Sequence, residues 1–218
     1  MYRYILFDLD GTLTDSKEGI VNCVIYALEK LGRPIPDDAT LLKFIGPPLQ
    51  DSYMRFCGLD EETAIEGVRL FRERYGPIGK FENAGAPGMA ELCVRLKQQG
   101  YVLALASSKP EEMCIPICEK YGFADSLTTI TGSPPGGDWR KADVIREAVR
   151  RLGLTMQDRA EILMVGDRKF DVQGAAEWGI DCVGVELFGY AEPNELHDAG
   201  AVAVVKSAEE LEEFILHH

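Results

Sequence analysis

The chain has 218 residues, of which 46% are hydrophobic and 27% charged, and these values are typical of a globular protein. A chain of this length can bury a sizeable core without disulfides, so disordered, collagen-like and small disulfide-bonded classes are excluded. The 23 Lys and Arg residues are outnumbered by 36 Asp and Glu residues, and the formal net charge is −13. That field disfavours a nucleic-acid polymer as partner, and the sequence has no basic patch for a membrane surface.

The apolar runs of the sequence are short. The runs at 162–165 and 201–205 fall far below the ~20 residues of a membrane span, and the chain does not start with the pattern of a signal peptide. The six cysteines are scattered and form no CxxC pair. Such cysteines are typical of free, buried thiols in a reducing compartment. We therefore expect a cytoplasmic protein with no membrane partner.

The first predicted element is a buried strand over residues 2–8, and only helices follow it as far as residue 80. Apolar residues at helical spacing, with capping residues before and glycine or proline after, mark these helices. They are predicted at 17–31, 40–45, 48–56 and 61–75.

From residue 81 onward, predicted helices and strands alternate. The strands are predicted at 101–106, 127–131, 161–165, 182–185 and 201–205. The helices are predicted at 88–99, 111–121 with an interruption at Pro116, 142–152, 171–178, 193–199 and 208–216. Short Val-, Ile- and Leu-rich strands separated by helices indicate a parallel sheet that is covered on both faces. The sequence therefore predicts an α/β fold with a doubly wound, Rossmann-like core formed by residues 1–14 and 81–218, and an all-helical domain inserted at 15–80.

Polar residues follow four of the predicted strands. In a doubly wound sheet the ligand crevice lies at the carboxyl ends of the strands, so these residues are expected to meet at one edge. They are, in chain order, Asp8, Asp10, Ser107, Ser108, Lys141, Asp167 and Asp171. The set contains carboxylates, hydroxyls and a lysine, which together are typical of an active site.

The acidic residues of this set indicate a divalent cation. Asp8 and Asp10 are two residues apart, so on a strand their carboxylates face one side at about 7 Å from each other. Carboxylates this close repel each other unless a cation or a proton lies between them. Mg²⁺ is usually held by a few carboxylates and water. A single Asp-x-Asp is more often part of a turn or a helix cap, but a second acidic pair, Asp167 and Asp171, after another buried strand favours a metal site.

The lysine and the serines suit an anionic substrate. Lys141, which alone would be read as a surface charge, can neutralise both the substrate and the carboxylates. Ser107 and Ser108 can bind phosphate oxygens, cap the following helix, or do both. A metal site next to such groups indicates metal-assisted phosphoryl transfer, in which positioning and charge neutralisation supply most of the catalysis.

The residues resemble the four motifs of the haloacid dehalogenase-like hydrolases, in order and in spacing. The matching residues are Asp8-Leu9-Asp10-Gly11-Thr12-Leu13, Ser107, Lys141, and Gly166-Asp167 with Asp171. The resemblance covers essentially the whole chain. The helical insertion resembles the cap domain of the subgroup that contains phosphoglycolate phosphatases and β-phosphoglucomutases.

The resemblance implies a catalytic role for three residues. Asp8 would be the nucleophile that accepts the phosphoryl group as an aspartyl-phosphate. Asp10 would protonate the leaving oxygen and then activate the hydrolytic water. Lys141 would steady the nucleophile and the phosphate charge.

The resemblance also implies the metal and its ligands. Mg²⁺ would be held by the carboxylate of Asp8, the backbone carbonyl of Asp10 and the carboxylate of Asp167. Asp171 would support the ion through its bound water. The sequence leaves open what Arg168, next to these ligands, contributes.

Five further residues are candidates for substrate binding. Gly11 would allow a tight turn beside the phosphate, and Thr12 would help to hold that turn. Ser107 would bind the transferring phosphoryl group, although the family motif usually reads Thr or Ser followed by Asn, so that Ser108 stays an alternative. Lys43 lies in a segment that resembles cap segments of phosphoglycolate phosphatase-like and 5′-nucleotidase-like members. It is either a substrate contact or an ordinary exposed charge.

The function expected from these observations is that of a Mg²⁺-dependent phosphomonoesterase acting on a small soluble phosphate ester, phosphoglycolate-like or a nucleoside monophosphate. The alternative is a phosphomutase of the β-phosphoglucomutase type. A haloacid dehalogenase is less favoured, because dehalogenases of this family need neither the second acid, Asp10, nor a metal. A catalytically inactive protein would be expected to lack one of the acids or the lysine, and all are present. The oligomeric state and the physiological substrate stay open.

Overall fold

The computed structural model describes residues 1–135 and 139–218. The described chain forms two compact units. One, the α/β unit, consists of Met1–Thr14 and Gly85–His218; the other, the helical unit, is Asp15–Ala84. Part of the glycine- and proline-rich loop that precedes Lys141, residues 136–138, lies outside the described residues.

The α/β unit is built around six parallel strands. The strands of the described residues are β1 (Tyr4–Phe7), β2 (Thr14–Asp15), β3 (Ala84–Gly85), β4 (Val102–Pro110), β5 (Leu127–Ser133), β6 (Ile162–Gly166), β7 (Asp181–Val185) and β8 (Ala203–Val205). The large sheet has the order β5-β4-β1-β6-β7-β8, while β2 and β3 pair separately. In the large sheet every neighbouring pair is parallel. Strand order reverses direction on either side of β1, so a crevice is expected where β1, β4 and β6 end.

The helical unit contains four α-helices and a short 3-10 helix at Gly79–Phe81. The α-helices are α1 (Lys17–Lys30), α2 (Asp38–Leu42), α3 (Leu49–Cys57) and α4 (Glu61–Tyr75). The carboxylates of Asp37 and Asp60 accept the N–H groups of Thr40 and Thr63 at 2.8 Å, and thereby cap α2 and α4. The core of the unit contains buried side chains such as Val24, Leu28, Tyr53 and Phe71.

The helices of the α/β unit cover both faces of its sheet. They are α5 (Met89–Gln98), α6 (Glu111–Lys120), α7 (Lys141–Arg151), α8 (Lys169–Ala176), α9 (Glu195–Ala199) and α10 (Ala208–His217). Alternate residues of β1 enter two separate hydrophobic clusters: Ile5 and Phe7 pack with α5, α6 and α10, and Leu6 packs with α7, α8 and α9. The predicted doubly wound α/β fold is therefore confirmed. Among the described residues, no helix combines the length and apolar composition needed to cross a bilayer.

The short strands β2 and β3 and the 3-10 helices were not predicted, and two predicted elements differ in their extent. Helix α6 continues through Pro116 instead of being interrupted there, because Cys114, Ile117 and Cys118 on the same helix are fully buried in the core and hold it in place. A proline inside a helix removes one backbone hydrogen bond, which this packing outweighs. Strand β4 extends to Pro110, because β5 continues to pair with it after a register shift between Ala106 and Pro110.

Candidate active site

The turn after β1 presents Asp8 at the edge of the sheet. The Asp8 N–H donates to the Val165 carbonyl of β6 at 2.9 Å, which fixes the backbone of Asp8 against the neighbouring strand. The carbonyl of the next residue, Leu9, accepts the N–H groups of Thr12, Leu13 and Thr14, which closes a tight turn. Gly11 lies in this turn with φ +84°, and a Cβ atom built on it would run into the carboxylate of Asp167. Only glycine therefore allows the turn after β1 to approach Asp167 so closely.

Three carboxylates converge at the ends of β1 and β6. Oxygens of Asp8, Asp167 and Asp171 lie within 4.8 Å of one another. Gly166 allows this approach, since a Cβ atom there would overlap the Asp171 side chain. Both carboxylate oxygens of Asp167 are buried, and within the described parts of the chain they accept no hydrogen bond. Buried carboxylates without a donor are costly unless they coordinate a cation, so this cluster fits a divalent metal ion.

Burial and mutual repulsion shape the protonation of this cluster. Desolvation, together with the negative charges of Asp171 and Asp8, raises the pKa of Asp167 well above its usual value. Desolvation also raises the pKa of Asp171, although the nearby ammonium of Lys141 works in the opposite direction. Without a cation the cluster therefore favours holding a proton, which a divalent cation would displace on binding.

Lys141, the first residue of α7, reaches the same cluster from the face of the sheet that α7 shares with α8. Its Nζ lies 2.6 Å from Asp8 Oδ1 and 2.8 Å from Asp171 Oδ1, and it donates to the Ala106 carbonyl at 3.1 Å. Burial disfavours the charged form of Lys141, yet Asp171 and Asp8 raise the pKa of its ammonium above the ordinary value. Gly174 of α8 makes room for this side chain, since a Cβ atom there would lie 2.8 Å from the lysine's own Cβ and Cγ.

The two acids that follow β6 have different surroundings. Asp171 Oδ2 accepts a hydrogen bond from the N–H of Arg168 at 3.0 Å, and its Oδ1 forms an ion pair with Lys141 at 2.8 Å. Asp167, in contrast, accepts no hydrogen bond on either oxygen within the described residues. This difference suits direct coordination of a metal ion by Asp167 and a supporting position for Asp171.

The end of β4 contributes Ser107, Ser108 and Lys109. The Ser107 side chain is buried, and its Oγ accepts the Lys109 N–H at a long 3.4 Å. Ser108 is exposed, and its carbonyl accepts the Ser133 hydroxyl of β5 at 2.8 Å. The two serines therefore point in different directions, as consecutive residues of a strand do.

Lys109 is a site residue to which the sequence analysis gave no role. Its Nζ lies 2.7 Å from Oδ2 and 2.8 Å from Oδ1 of Asp10, and the two side chains are only 8% and 16% exposed. Asp8 and Asp10, which were expected to face one cation together, are paired with different lysines. The available signal was a lysine directly after the serines at a strand end, but nothing local to it indicates Asp10 as its partner.

Arg168 makes a second contact that the sequence did not reveal. Its Nε donates to Glu195 Oε1 of α9 at 2.9 Å, and the same carboxylate accepts the N–H of Lys169 at 3.0 Å. Burial opposes ionisation of Glu195, but these donors lower its pKa below the usual value. Glu195 thus ties the backbone next to Asp167 to α9.

Two other predicted residues lie outside these contacts. Thr12 is fully buried, and no partner of its hydroxyl is found among residues 1–135 and 139–218. Lys43 is exposed and follows the last residue of α2 in the helical unit. The structure thus brings the predicted acids and Lys141 together within the α/β unit, and it adds Lys109 to them.

Comparisons with known proteins agree with this geometry. A family described as haloacid dehalogenase-like hydrolase matches residues 5–185. The chain is 40% identical over 196 residues to a 5′-nucleotidase of Pseudomonas aeruginosa, covering 89% of this chain and 87% of that protein. It is 36% identical over 207 residues to the tyrosine-protein kinase PtkA of Mycobacterium tuberculosis, covering 94% and 69%. A predicted phosphatase from Clostridium acetobutylicum has a similar structure, with a TM-score of 0.92 and 39% identity over the whole of both chains.

Proposed function

The chain belongs to the haloacid dehalogenase-like hydrolase family and is a phosphatase, and we propose that it is a Mg²⁺-dependent phosphomonoesterase. Its substrate is a small soluble phosphate ester in the cytoplasm, phosphoglycolate-like or a nucleoside monophosphate. The reaction proceeds through an aspartyl-phosphate on Asp8. The observation that carries this proposal is the buried cluster of Asp8, Asp167 and Asp171 around the ammonium of Lys141.

The residues at the edge of the sheet fit Mg²⁺. Asp8 and Asp167 would hold the ion directly, together with the backbone carbonyl of Asp10 that the family resemblance implies. Asp171 would support it, since its own oxygens are engaged by Lys141 and by the Arg168 N–H. Bound there, Mg²⁺ neutralises phosphoryl charge and aligns the phosphoryl group with the nucleophile.

The first step is attack of an Asp8 carboxylate oxygen on the phosphorus of the ester. The new Asp8–phosphorus bond forms as the bond from phosphorus to the alcohol oxygen breaks, and Asp10 gives its proton to that oxygen. Lys141 Nζ lies 2.6 Å from Asp8 Oδ1, which orients the nucleophile. Ser107, buried at the end of β4, donates its hydroxyl to a phosphoryl oxygen.

The second step is hydrolysis of the aspartyl-phosphate. Asp10, which lost its proton in the first step, takes a proton from a water molecule as that water attacks the phosphorus. The bond between phosphorus and the Asp8 oxygen then breaks, and inorganic phosphate and the free carboxylate are released. Asp10 is thereby reprotonated for the next cycle.

The helical domain, proposed to span residues 15–80, serves as a cap that selects the substrate. In this role it excludes water from the reaction and contacts the part of the substrate beyond the phosphate. Lys43 is the candidate contact, because an exposed ammonium can bind a carboxylate or a second phosphate of the substrate. Gly11 and Thr12 hold the turn that faces the phosphoryl group.

The test is phosphate release from p-nitrophenyl phosphate, with Mg²⁺ and with EDTA. We expect metal-dependent turnover that falls by at least about 10³-fold in Asp8→Asn, since removal of a nucleophile abolishes its covalent step. Asp198→Asn, which changes an exposed acid of α9, is the matched control and should keep wild-type activity. Activity that survives in Asp8→Asn would overturn the mechanism.

Absence of turnover with this ester would favour the alternative hypothesis, a phosphomutase. The same nucleophile then returns the phosphoryl group to a sugar, and β-glucose 1-phosphate is the compound to test. Conversion of that compound to its isomer, without release of inorganic phosphate, would replace the phosphatase proposal by the mutase.

A further inference from the structure

We propose that Lys109 is a phosphoryl-binding residue that the resting protein holds on Asp10. When the substrate binds, the Lys109 ammonium moves from the Asp10 carboxylate to the phosphoryl oxygens. The exchange has two effects: it adds a cation to the phosphate site, and it uncovers Asp10, which then takes from solvent the proton that it gives to the leaving oxygen. The inference rests on the proposed phosphatase function and assigns a residue outside the motif set.

The positive charge of Lys141 is already engaged within the protein. Its Nζ donates a hydrogen bond to the Ala106 carbonyl at 3.1 Å and forms ion pairs with Asp8 Oδ1 and Asp171 Oδ1 at 2.6 and 2.8 Å. Its charge is thus shared between two carboxylates that it keeps in place. A phosphoryl group that arrives beside Asp8 therefore needs a further cation.

Lys109 also engages the carboxylate of Asp10. Its Nζ lies within 2.8 Å of both oxygens, so it occupies an acceptor position on each of them that a leaving group or a water molecule would otherwise use. Departure of Lys109 therefore frees both oxygens of Asp10 for its own step.

Lys109 lies in a bulge of β4. Between the pairs Ala106–Thr131 and Pro110–Ser133, three residues of β4 face a single residue of β5, Gly132. A bulge of this kind redirects side chains and is common beside active sites. Gly132 makes the bulge possible, since a Cβ atom there would lie 2.6 Å from the Lys109 carbonyl and 2.5 Å from the next helix. The bulge thus turns Lys109 toward the ends of β1 and β4, where Ser107 also lies.

The charges of the site supply the driving force. Its four carboxylates and two lysines leave two net negative charges, which a divalent cation balances. A phosphate dianion then adds two negative charges beside the carboxylates. Lys109 has a long, flexible side chain, and the move from the Asp10 carboxylate to the more strongly charged phosphate costs little free energy. The ammonium is charged and paired with an anion both before and after the move. Phosphate therefore binds more tightly when Lys109 points toward it than when Lys109 is paired with Asp10. This difference in affinity is what shifts Lys109 from one position to the other.

The experiment measures inorganic phosphate binding by calorimetry, in the presence of Mg²⁺, for four proteins. These are the wild type, Lys109→Gln, Lys109→Arg and the control Lys206→Gln, which changes an exposed lysine of the same unit. We expect the phosphate Kd to rise about tenfold in Lys109→Gln, because a charge-assisted hydrogen bond is lost. Lys109→Arg should retain most of the affinity, and the KM for p-nitrophenyl phosphate should follow the Kd.

The outcomes separate the inference from the proposed function. Wild-type phosphate affinity in Lys109→Gln, with a reduced kcat, would mean that Lys109 only positions Asp10 and would overturn the inference while leaving the phosphatase intact. A wild type that neither binds phosphate nor hydrolyses esters would overturn the function itself. A crystal structure of the wild type with Mg²⁺ and inorganic phosphate needs no variant: Lys109 Nζ on a phosphate oxygen supports the inference, and Lys109 still on Asp10 contradicts it.

Discussion

The buried cluster of the α/β unit and the surface of the helical unit use charged residues in opposite ways. In the α/β unit the side chains of Lys141 and Asp171 are only 5% and 2% exposed, so their charges have been removed from water. In the helical unit Arg69 pairs with Glu66 and Glu73 while its side chain stays 58% exposed. Surface pairs of this kind contribute at most about 1 kcal/mol to the stability of the fold. Burial of a charge costs several kcal/mol per ion, which the pairing must offset. The buried charges are therefore better explained by chemistry than by stability.

This contrast predicts that one added methyl group in the buried cluster lowers activity more than backbone strain in another part of the molecule does. Gly166→Ala should lower activity at least about 100-fold and destabilise the protein by about 1–3 kcal/mol, because the added methyl group overlaps the Asp171 side chain. Activity with p-nitrophenyl phosphate and thermal unfolding measure the two effects.

The control for this variant is Gly153→Ala. Gly153 has φ +72°, and a Cβ atom built on it meets nothing within 4 Å. This substitution strains the backbone by about 1–2 kcal/mol without reaching the cluster, so activity should be kept. If both variants lose activity equally, the carboxylate cluster is no more sensitive than an ordinary glycine turn.

A second prediction concerns the metal and pH. The folded-state pKa of Asp167 lies above its unfolded value of about 3.9, so without metal the folded state holds the proton longer than the unfolded state does. Stability then falls as pH rises above about 4, until the folded pKa is passed. The raised pKa of Asp171 changes the stability in the same direction. The pKa of Lys141 is also raised, so its contribution to the stability does not change at acidic or neutral pH.

Mg²⁺ should therefore stabilise the protein more at pH 8 than at pH 5, by a difference of about 3 °C in Tm. Thermal unfolding with Mg²⁺ and with EDTA at both pH values measures it. Asp167→Asn should remove most of the pH dependence, whereas Asp198→Asn should leave it intact. A Tm shift that is equal at both pH values would contradict metal binding to a protonated, buried carboxylate.

The sequence was sufficient to predict the α/β unit and its acids because the signals are local. Asp8 and Asp167 each follow a buried strand directly, and parallel strands end at one edge. The alternation of strands and helices is likewise visible in short windows of sequence. These parts of the fold need no knowledge of long-range packing.

Other features depend on contacts that no short window contains. Lys109 and Asp10 are 99 positions apart, and their pairing depends on a bulge that in turn depends on Gly132 of a neighbouring strand. The contact from Arg168 to Glu195 spans 27 positions and joins the start of α8 to the start of α9. Local patterns cannot reveal such pairs, because the sheet register that brings them together is itself a tertiary property.

The helical unit supplies the smallest predicted effect. Its sequence explains its helices, with Asp37 and Asp60 as caps, but an exposed lysine carries no comparable signal for chemistry. If Lys43 binds the distal part of the substrate, Lys43→Ala should raise the KM for phosphoglycolate about three- to tenfold and leave the KM for p-nitrophenyl phosphate unchanged. The Tm should not change, since Lys43 is exposed.

Lys30→Ala is the matched control, because Lys30 is another exposed lysine of the same unit. It should change neither KM, since nothing assigns it a contact with substrate. A selective effect of Lys43→Ala would place substrate choice in the helical unit and keep the buried cluster for the phosphoryl group that all substrates share. An equal effect on both esters would show that Lys43 acts through general attraction of anions, and that substrate choice lies with other residues.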